Sequence, residues 1–187
     1  MKMKKLALLF MTGALLMSTI PCYGSSVSMV QVTEDKDQGV NYTQLPSAET
    51  LKKDLGFLPK APGKLAGGYT FTSGDIAESF DLDSKGKEIN RRKSMNFKYT
   101  LVKGKTTKSV TFSAEPKLQQ SFSENYSITK YGEINLYYNT EYANYLGWIE
   151  NDIYYSLIDA NKKVTKTEMI DMAKGIIDMK TDTAKGK

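Results

Sequence analysis

Two serines precede a lysine by three positions, Ser84-x-x-Lys87 and Ser127-x-x-Lys130, and Ser123-Glu124-Asn125 loosely follows the second motif of serine acyl-transfer enzymes. That chemistry needs the two side chains one helical turn apart, so that the amine can take the hydroxyl proton. Ser84 falls in a predicted turn and Ser127 in a predicted strand, where residues three apart point to opposite faces. No Lys-Thr-Gly follows, so acyl transfer lacks its machinery. Asp81-Leu82-Asp83-Ser84-Lys85-Gly86 opens like a calcium loop, with carboxylates at alternate positions and glycine at the sixth. Lys85 then takes a liganding position and Arg92 stands where the bidentate glutamate belongs. Two cations facing the ion leave a polar hairpin turn, Ser84 to Lys87, as the reading of this stretch.

The chain has no histidine, and its one cysteine is Cys22. A chain cut beyond Cys22 cannot build a disulfide, a zinc finger, a thiol nucleophile or a histidine triad, and no cofactor is expected. Its remaining strong metal ligands are carboxylates and carbonyls, suited to calcium or magnesium. Acid-base chemistry could still use carboxylates, and Asp75, Glu78, Glu133, Glu141, Glu150 and Asp152 are available. Their spacing forces no two of them into one site, which leaves a glycosidase-type pair as an alternative rather than the main reading.

Aromatic residues are more informative. Eight of the twelve tyrosines lie between Tyr126 and Tyr155, with the only tryptophan, Trp148, among them. Tyrosine joins a flat apolar body to a polar tip, which suits contact with a sugar or peptide, and it also favours strands. Tyr137-Tyr138 and Tyr154-Tyr155 place one ring on each face of a sheet. Core and sheet packing is the first reading of this crowding, and a ligand surface the second; for the second, Tyr137, Tyr142, Tyr145 and Tyr154 are the candidate ligand-binding residues, with rings outside the core. Trp148 is expected inside it, since Leu146 shares its face.

The elements that must position these residues follow from punctuation and period. Ser47 is a good N-cap for a short helix over Ala48 to Leu55, stopped by Gly56. Pro59 and Pro62 then forbid helix and shape a connector. Period-two alternation marks strands at Ile76-Phe80-Leu82, Met95-Phe97-Tyr99-Leu101 and Val110-Phe112-Ala114, then at Tyr126 to Tyr131 and Ile134-Leu136-Tyr138. Leu146-Trp148 and Ile153-Tyr155-Leu157 flank Asn151-Asp152, a pair that tolerates the positive φ of a tight hairpin. Thr165-Lys166-Thr167-Glu168 matches a capping box ahead of an apolar stripe from Met169 to Ile177. That stripe lacks the basic polar face of a membrane-surface helix, so it is expected to dock on the protein. The fold class is therefore α+β: a curved, meandering antiparallel sheet of seven or eight strands, with a short N-terminal helix and an amphipathic C-terminal one. The expected organisation is a single domain over residues 47–179, a polar tether or loosely docked arm over 25–46 and a solvated tail over 180–187.

Lys2, Lys4 and Lys5, the apolar run Leu6 to Leu16 and the exit Cys22-Tyr23-Gly24 have the three-part layout of a secretory signal peptide over residues 1–24. The run is well short of the roughly 20 apolar residues that span a bilayer, and no later one reaches that length, so no transmembrane helix is expected. Cys22 could carry a lipid anchor, but Pro21 spoils the lipobox and favours cleavage after Gly24 and release. Cleavage there leaves 23 basic against 21 acidic residues, which gives no electrostatic case for nucleic acid.

The order of signals resembles a family. The Leu55-Gly56-Phe57 helix end, Pro59-Lys60-Ala61-Pro62, Gly67-Gly68-Tyr69, the late Leu146-Gly147-Trp148-Ile149-Glu150 strand and the closing helix are similar to an uncharacterised exported domain of Gram-positive bacteria. It is found in secreted or lipid-anchored proteins and at the outer end of anti-sigma-like membrane proteins, and the similarity covers Ser47 to Asp178. The resemblance implies a non-enzymatic envelope domain, shaped like the curved-sheet lipoprotein carriers and periplasmic stress sensors. The expectation is an exported binding or envelope-sensing module for an envelope or extracellular ligand that the sequence does not identify. The alternative is a carboxylate-dependent enzyme acting on cell-wall glycans.

Overall fold

The computed structural model describes residues 31–33, 40–83, 85–117 and 125–179. The leader with Cys22, Ser84, Ser123 and the tail from Lys180 lie outside the described residues. Among the described residues, ten strands and two α-helices run in the order β1 (Gln31–Thr33), β2 (Val40–Tyr42), α1 (Ala48–Leu55), β3 (Lys64–Leu65), β4 (Tyr69–Leu82), β5 (Glu88–Lys103), β6 (Thr106–Pro116), β7 (Ser127–Tyr131), β8 (Ile134–Asn139), β9 (Asn144–Glu150), β10 (Ile153–Asp159) and α2 (Lys166–Ile177).

Local chemistry sets both helices. Ser47 Oγ accepts the Thr50 N–H at 3.1 Å, and Gly56, at φ 85°, returns its N–H to Lys52 O. Only a residue without Cβ takes that left-handed stop at no cost. In α2 the capping box is complete: Thr165 Oγ1 accepts the Glu168 N–H at 3.2 Å and Glu168 Oε2 accepts the Thr165 N–H at 2.7 Å. Lys108 from β6 reaches the same carboxylate at 2.8 Å, which ties the helix start to the sheet.

Strands β4 to β10 form the body of one open, curved antiparallel sheet. Their spatial order is β4-β5-β6-β10-β9-β8-β7. Two meanders therefore meet at β6 and β10, where a simple meander would pair β6 with β7. The turns at Gly132 and at Asn151-Asp152, all with positive φ, close β7 to β10 as a unit. The longer passage from Lys117 to Asn125 imposes no adjacency on β6 and β7. Register breaks at Phe71/Ser73 and Ser79/Asp81 bend the long β4–β5 pair.

β1, β2 and β3 all pair along the free side of β4. Part of the stretch expected as a tether is thus tied down: Val40 to Tyr42 lie opposite Ile76 to Gly74, and Tyr42 Oη donates to Asp54 Oδ2 at 2.6 Å. A 14-residue strand offers a row of unpaired donors and acceptors, and β-prone residues nearby satisfy them.

Both helices pack on one sheet face. Met95, Phe97, Tyr99, Phe112, Leu136, Leu146, Trp148 and Leu157 are buried there with Leu51 and Leu55 of α1 and Met169, Met172, Ala173 and Ile176 of α2. Phe112, Trp148 and Tyr155, side by side on β6, β9 and β10, stack with ring centroids 5.4–6.2 Å apart. Trp148 is fully buried, as its pairing with Leu146 predicts. The connector closes over this stack. Lys60, 5% exposed, donates through Nζ to Glu150 Oε1 at 2.7 Å and to Ile177 O, while its own N–H donates to Tyr155 Oη at 3.2 Å. Tyr99 Oη donates to Pro62 O.

Candidate binding face

The sheet face turned away from the helices carries three of the four candidate tyrosines, on neighbouring strands. Register fixes their arrangement. Tyr137 of β8 lies opposite Gly147 of β9, and Gly147 lies opposite Ser156 of β10. Tyr145 and Tyr154 flank Gly147 along and across the strands, and both hydroxyls bend over it: a Cβ at position 147 would sit 2.8 Å from each. A side chain there would push both hydroxyls aside, so glycine is the residue that lets the two hydroxyls converge. Tyr126, just ahead of β7, sets its ring edge-on to Tyr145 at 5.9 Å. Tyr142 stands apart in the β8–β9 turn, 80% exposed.

The patch is a set of protonated phenols. Burial, then the nearby Tyr126 and Glu115, push the Tyr154 hydroxyl far above its ordinary range. Burial and Glu141 raise Tyr126, and a hydrogen bond to Glu141 followed by its charge raises Tyr142. Near neutral pH these phenols are protonated, so the patch joins neutral hydroxyls to flat apolar rings, the combination that contacts polar, flat-faced ligands.

From Ser156 the same row continues across Ser113, Asn96 and Asp75 to Asn41 of β2. There the polar groups satisfy one another: Ser113 Oγ donates to Asn96 Oδ1 at 2.9 Å and Asn96 Nδ2 to Asp75 Oδ2 at 3.2 Å. The row therefore divides into a polar half that closes on itself and a tyrosine half over β8 to β10.

The core-side twins of these rings behave differently. Tyr155 is buried, accepts the Lys60 N–H, and is pushed up to about 12 by burial, against the pull of that N–H. Tyr138 donates to Asn144 Oδ1 at 3.3 Å beneath the Lys166 ammonium.

The other chemical candidates are not assembled. Ser127 accepts from Lys166 Nζ at 2.8 Å, while Lys130 leans towards Glu133 at 4.0 Å, so this serine and lysine do not form a couple. Asp83 Oδ1 accepts the N–H groups of Lys85 and Lys87, which makes the stretch a hydrogen-bonded turn. Arg92 pairs with Asp81 at 3.3 Å, so this carboxylate is engaged by the very residue that breaks the calcium pattern. Ser79 and Asp81 are both buried.

The six carboxylates are spread out as well. Asp75 and Glu78 differ in strand parity, so they face opposite sides. Glu78 is held below the ordinary carboxylate range by hydrogen bonding to Arg91 and Lys93, against a burial effect that raises it. Glu133 and Glu141 lie in turns beyond opposite ends of β8, Glu150 is taken by Lys60, and Asp152 is in the β9–β10 turn. Among the described residues no group of three or more acidic, His or Cys side chains could hold a metal ion, and no helix is long and apolar enough to cross a membrane.

Sequence reasoning passed over Tyr126 and Gly147 as site residues. Glycine inside the apolar run Leu146-Gly147-Trp148 was the available signal, since a strand glycine marks a close approach. Compared with family models, with curated proteins and with solved structures, the chain gave no match to any of them.

Proposed function

We propose that this is an exported, non-enzymatic binding or envelope-sensing module whose ligand surface is the tyrosine face over β8 to β10. One observation carries the reading: Tyr145 and Tyr154 bring their hydroxyls together over Gly147, beside Tyr137 and Tyr126, on the side of the sheet opposite the helices. Rings with protonated tips recognise a sugar or an extended peptide by stacking and hydrogen bonding together. The leader-like residues 1–24 support an extracytoplasmic setting, in which envelope glycans and peptides are the available ligands. Scattered carboxylates give the glycan-hydrolase alternative no geometric support.

Titration of the protein with soluble cell-wall glycan fragments, and separately with unstructured peptides, tests the proposal. One of the two should bind, and Tyr145→Phe/Tyr154→Phe should weaken it at least tenfold with the fold intact. Equal binding by the double variant, or none by the native protein, would overturn the assignment of this face.

A further inference from the structure

The β5–β6 hairpin leaves the sheet. β4 pairs with β5 only as far as Thr100, and β10 pairs with β6 only as far as Thr111, so Leu101 to Lys108 project as a two-stranded ribbon. From Lys98 to Ser109 this segment has four lysines and no acidic residue. Lys108 is neutralised by Glu168 at the base of the ribbon. Lys98, Lys103 and Lys105 are exposed and join none of the ion pairs among the described residues. Lys64 of β3, also exposed and unpaired, faces Thr70, which in turn faces Thr100 at the root of the same ribbon. Elsewhere the cations of the described strands are compensated: Arg91, Arg92, Lys93 and Lys130 each meet a carboxylate.

Val102 lies near the tip and is 69% exposed, opposite Thr107 and next to Lys103. We infer that this ribbon docks tip-first on an anionic membrane surface, with Lys105 in the turn and Lys103 beside it against lipid phosphates, Lys98 and Lys64 behind them on the face of Val102, and Val102 entering the headgroup layer from the face opposite Lys103. Charge complementarity calls for a polyanion, and the exposed valine selects a bilayer over a soluble one. An alkyl group gains by leaving water only where an apolar phase receives it. Each lysine near an anionic leaflet is worth roughly fivefold in partitioning, an effect that fades beyond a Debye length. The inference stands apart from the tyrosine face and does not depend on it.

Co-sedimentation with phosphatidylglycerol vesicles and with phosphatidylcholine vesicles tests it, using the full chain so that any contribution of residues before 31 is common to all variants. The native protein should partition at least tenfold better onto phosphatidylglycerol, and less well as salt rises. Lys103→Glu/Lys105→Glu should lose at least tenfold and Val102→Ser a few-fold. Lys85→Glu/Lys87→Glu, which makes the same charge change in another exposed turn, should behave like the native protein. Equal losses in the two double variants would overturn the inference by reducing it to net charge. So would the absence of binding to phosphatidylglycerol, or binding to soluble poly(glycerol phosphate) that matches the vesicles and ignores Val102→Ser.

Discussion

Tyr154 and Tyr155 are chain neighbours of identical chemistry, and the sheet gives them opposite employment. Tyr155 enters a three-ring stack with Phe112 and Trp148 and accepts the Lys60 N–H. Tyr154 turns to the other face and brings its hydroxyl to that of Tyr145 over a glycine. The inner face spends its polar atoms on the fold, through Lys60, Tyr99 and Tyr155. The outer tyrosine half gathers hydroxyls around a spot left bare of side chain. Side-chain type therefore does not assign these two tyrosines to a face, whereas strand parity does.

The largest effect that could break this contrast is expected at the stack. Trp148→Ala should lower unfolding free energy by about 3–5 kcal/mol in urea titrations, because it opens a cavity beside Phe112 and Tyr155 in the buried core. A loss near zero would mean that the inner face is not the organising core. Next comes the connector. Lys60→Ala strands a largely buried Glu150 and removes the cap on Ile177 O, at a cost of about 3 kcal/mol, and Lys60→Ala/Glu150→Leu should recover much of it. Failure of the second change to rescue would point to packing rather than charge as the role of Lys60.

A smaller effect sharpens the outer face. Gly147→Ala drives a methyl group towards both hydroxyls, so it should cost about 1–2 kcal/mol and shift the ring resonances of Tyr145 and Tyr154 in NMR spectra while leaving those of Phe112 and Tyr155 in place. Thr165→Ala should cost about 1 kcal/mol through loss of the α2 cap.

The pH dependence of the inner face has a defined sign. Burial raises the Glu168 carboxyl, but hydrogen bonds from Lys108 and Thr165 outweigh that and hold it below the ordinary range. A depressed folded value contributes stability that is fully present above the unfolded value, about 4.3, and is lost as pH falls through the folded one. The denaturation midpoint should therefore drop below about pH 4.5. Glu168→Gln should shrink that drop, with the remainder coming from Glu78, which shifts in the same direction.

Much of the inner face was legible in the sequence, because caps and period two are local. Ser47, Gly56, the Thr165 box and the Asn151-Asp152 turn all act where local rules place them. The pairing of β6 with β10 was not legible, since alternating strands look alike and nothing in 117–126 names a partner. The docking of Val40 to Tyr42 was hidden for a related reason: an edge recruits whatever β-prone chain is near. On the outer face, parity separated Tyr137 from Tyr138 and Tyr154 from Tyr155, and only the register set Tyr137, Tyr145 and Tyr154 on one side. Their convergence over Gly147 is a cross-strand fact that no spacing along the chain reveals.

The central claim, that one face holds the fold while the other is built for a ligand, is tested most directly by removing single hydroxyls from each. Tyr99→Phe and Tyr155→Phe delete bonds to Pro62 O and from the Lys60 N–H, and each should lower unfolding free energy by about 1–2 kcal/mol. Tyr145→Phe, on the outer face, should change it by less than about 0.5 kcal/mol. If loss of the outer hydroxyl costs as much as loss of the inner ones, it belongs to the fold, and the account of a ligand face is contradicted.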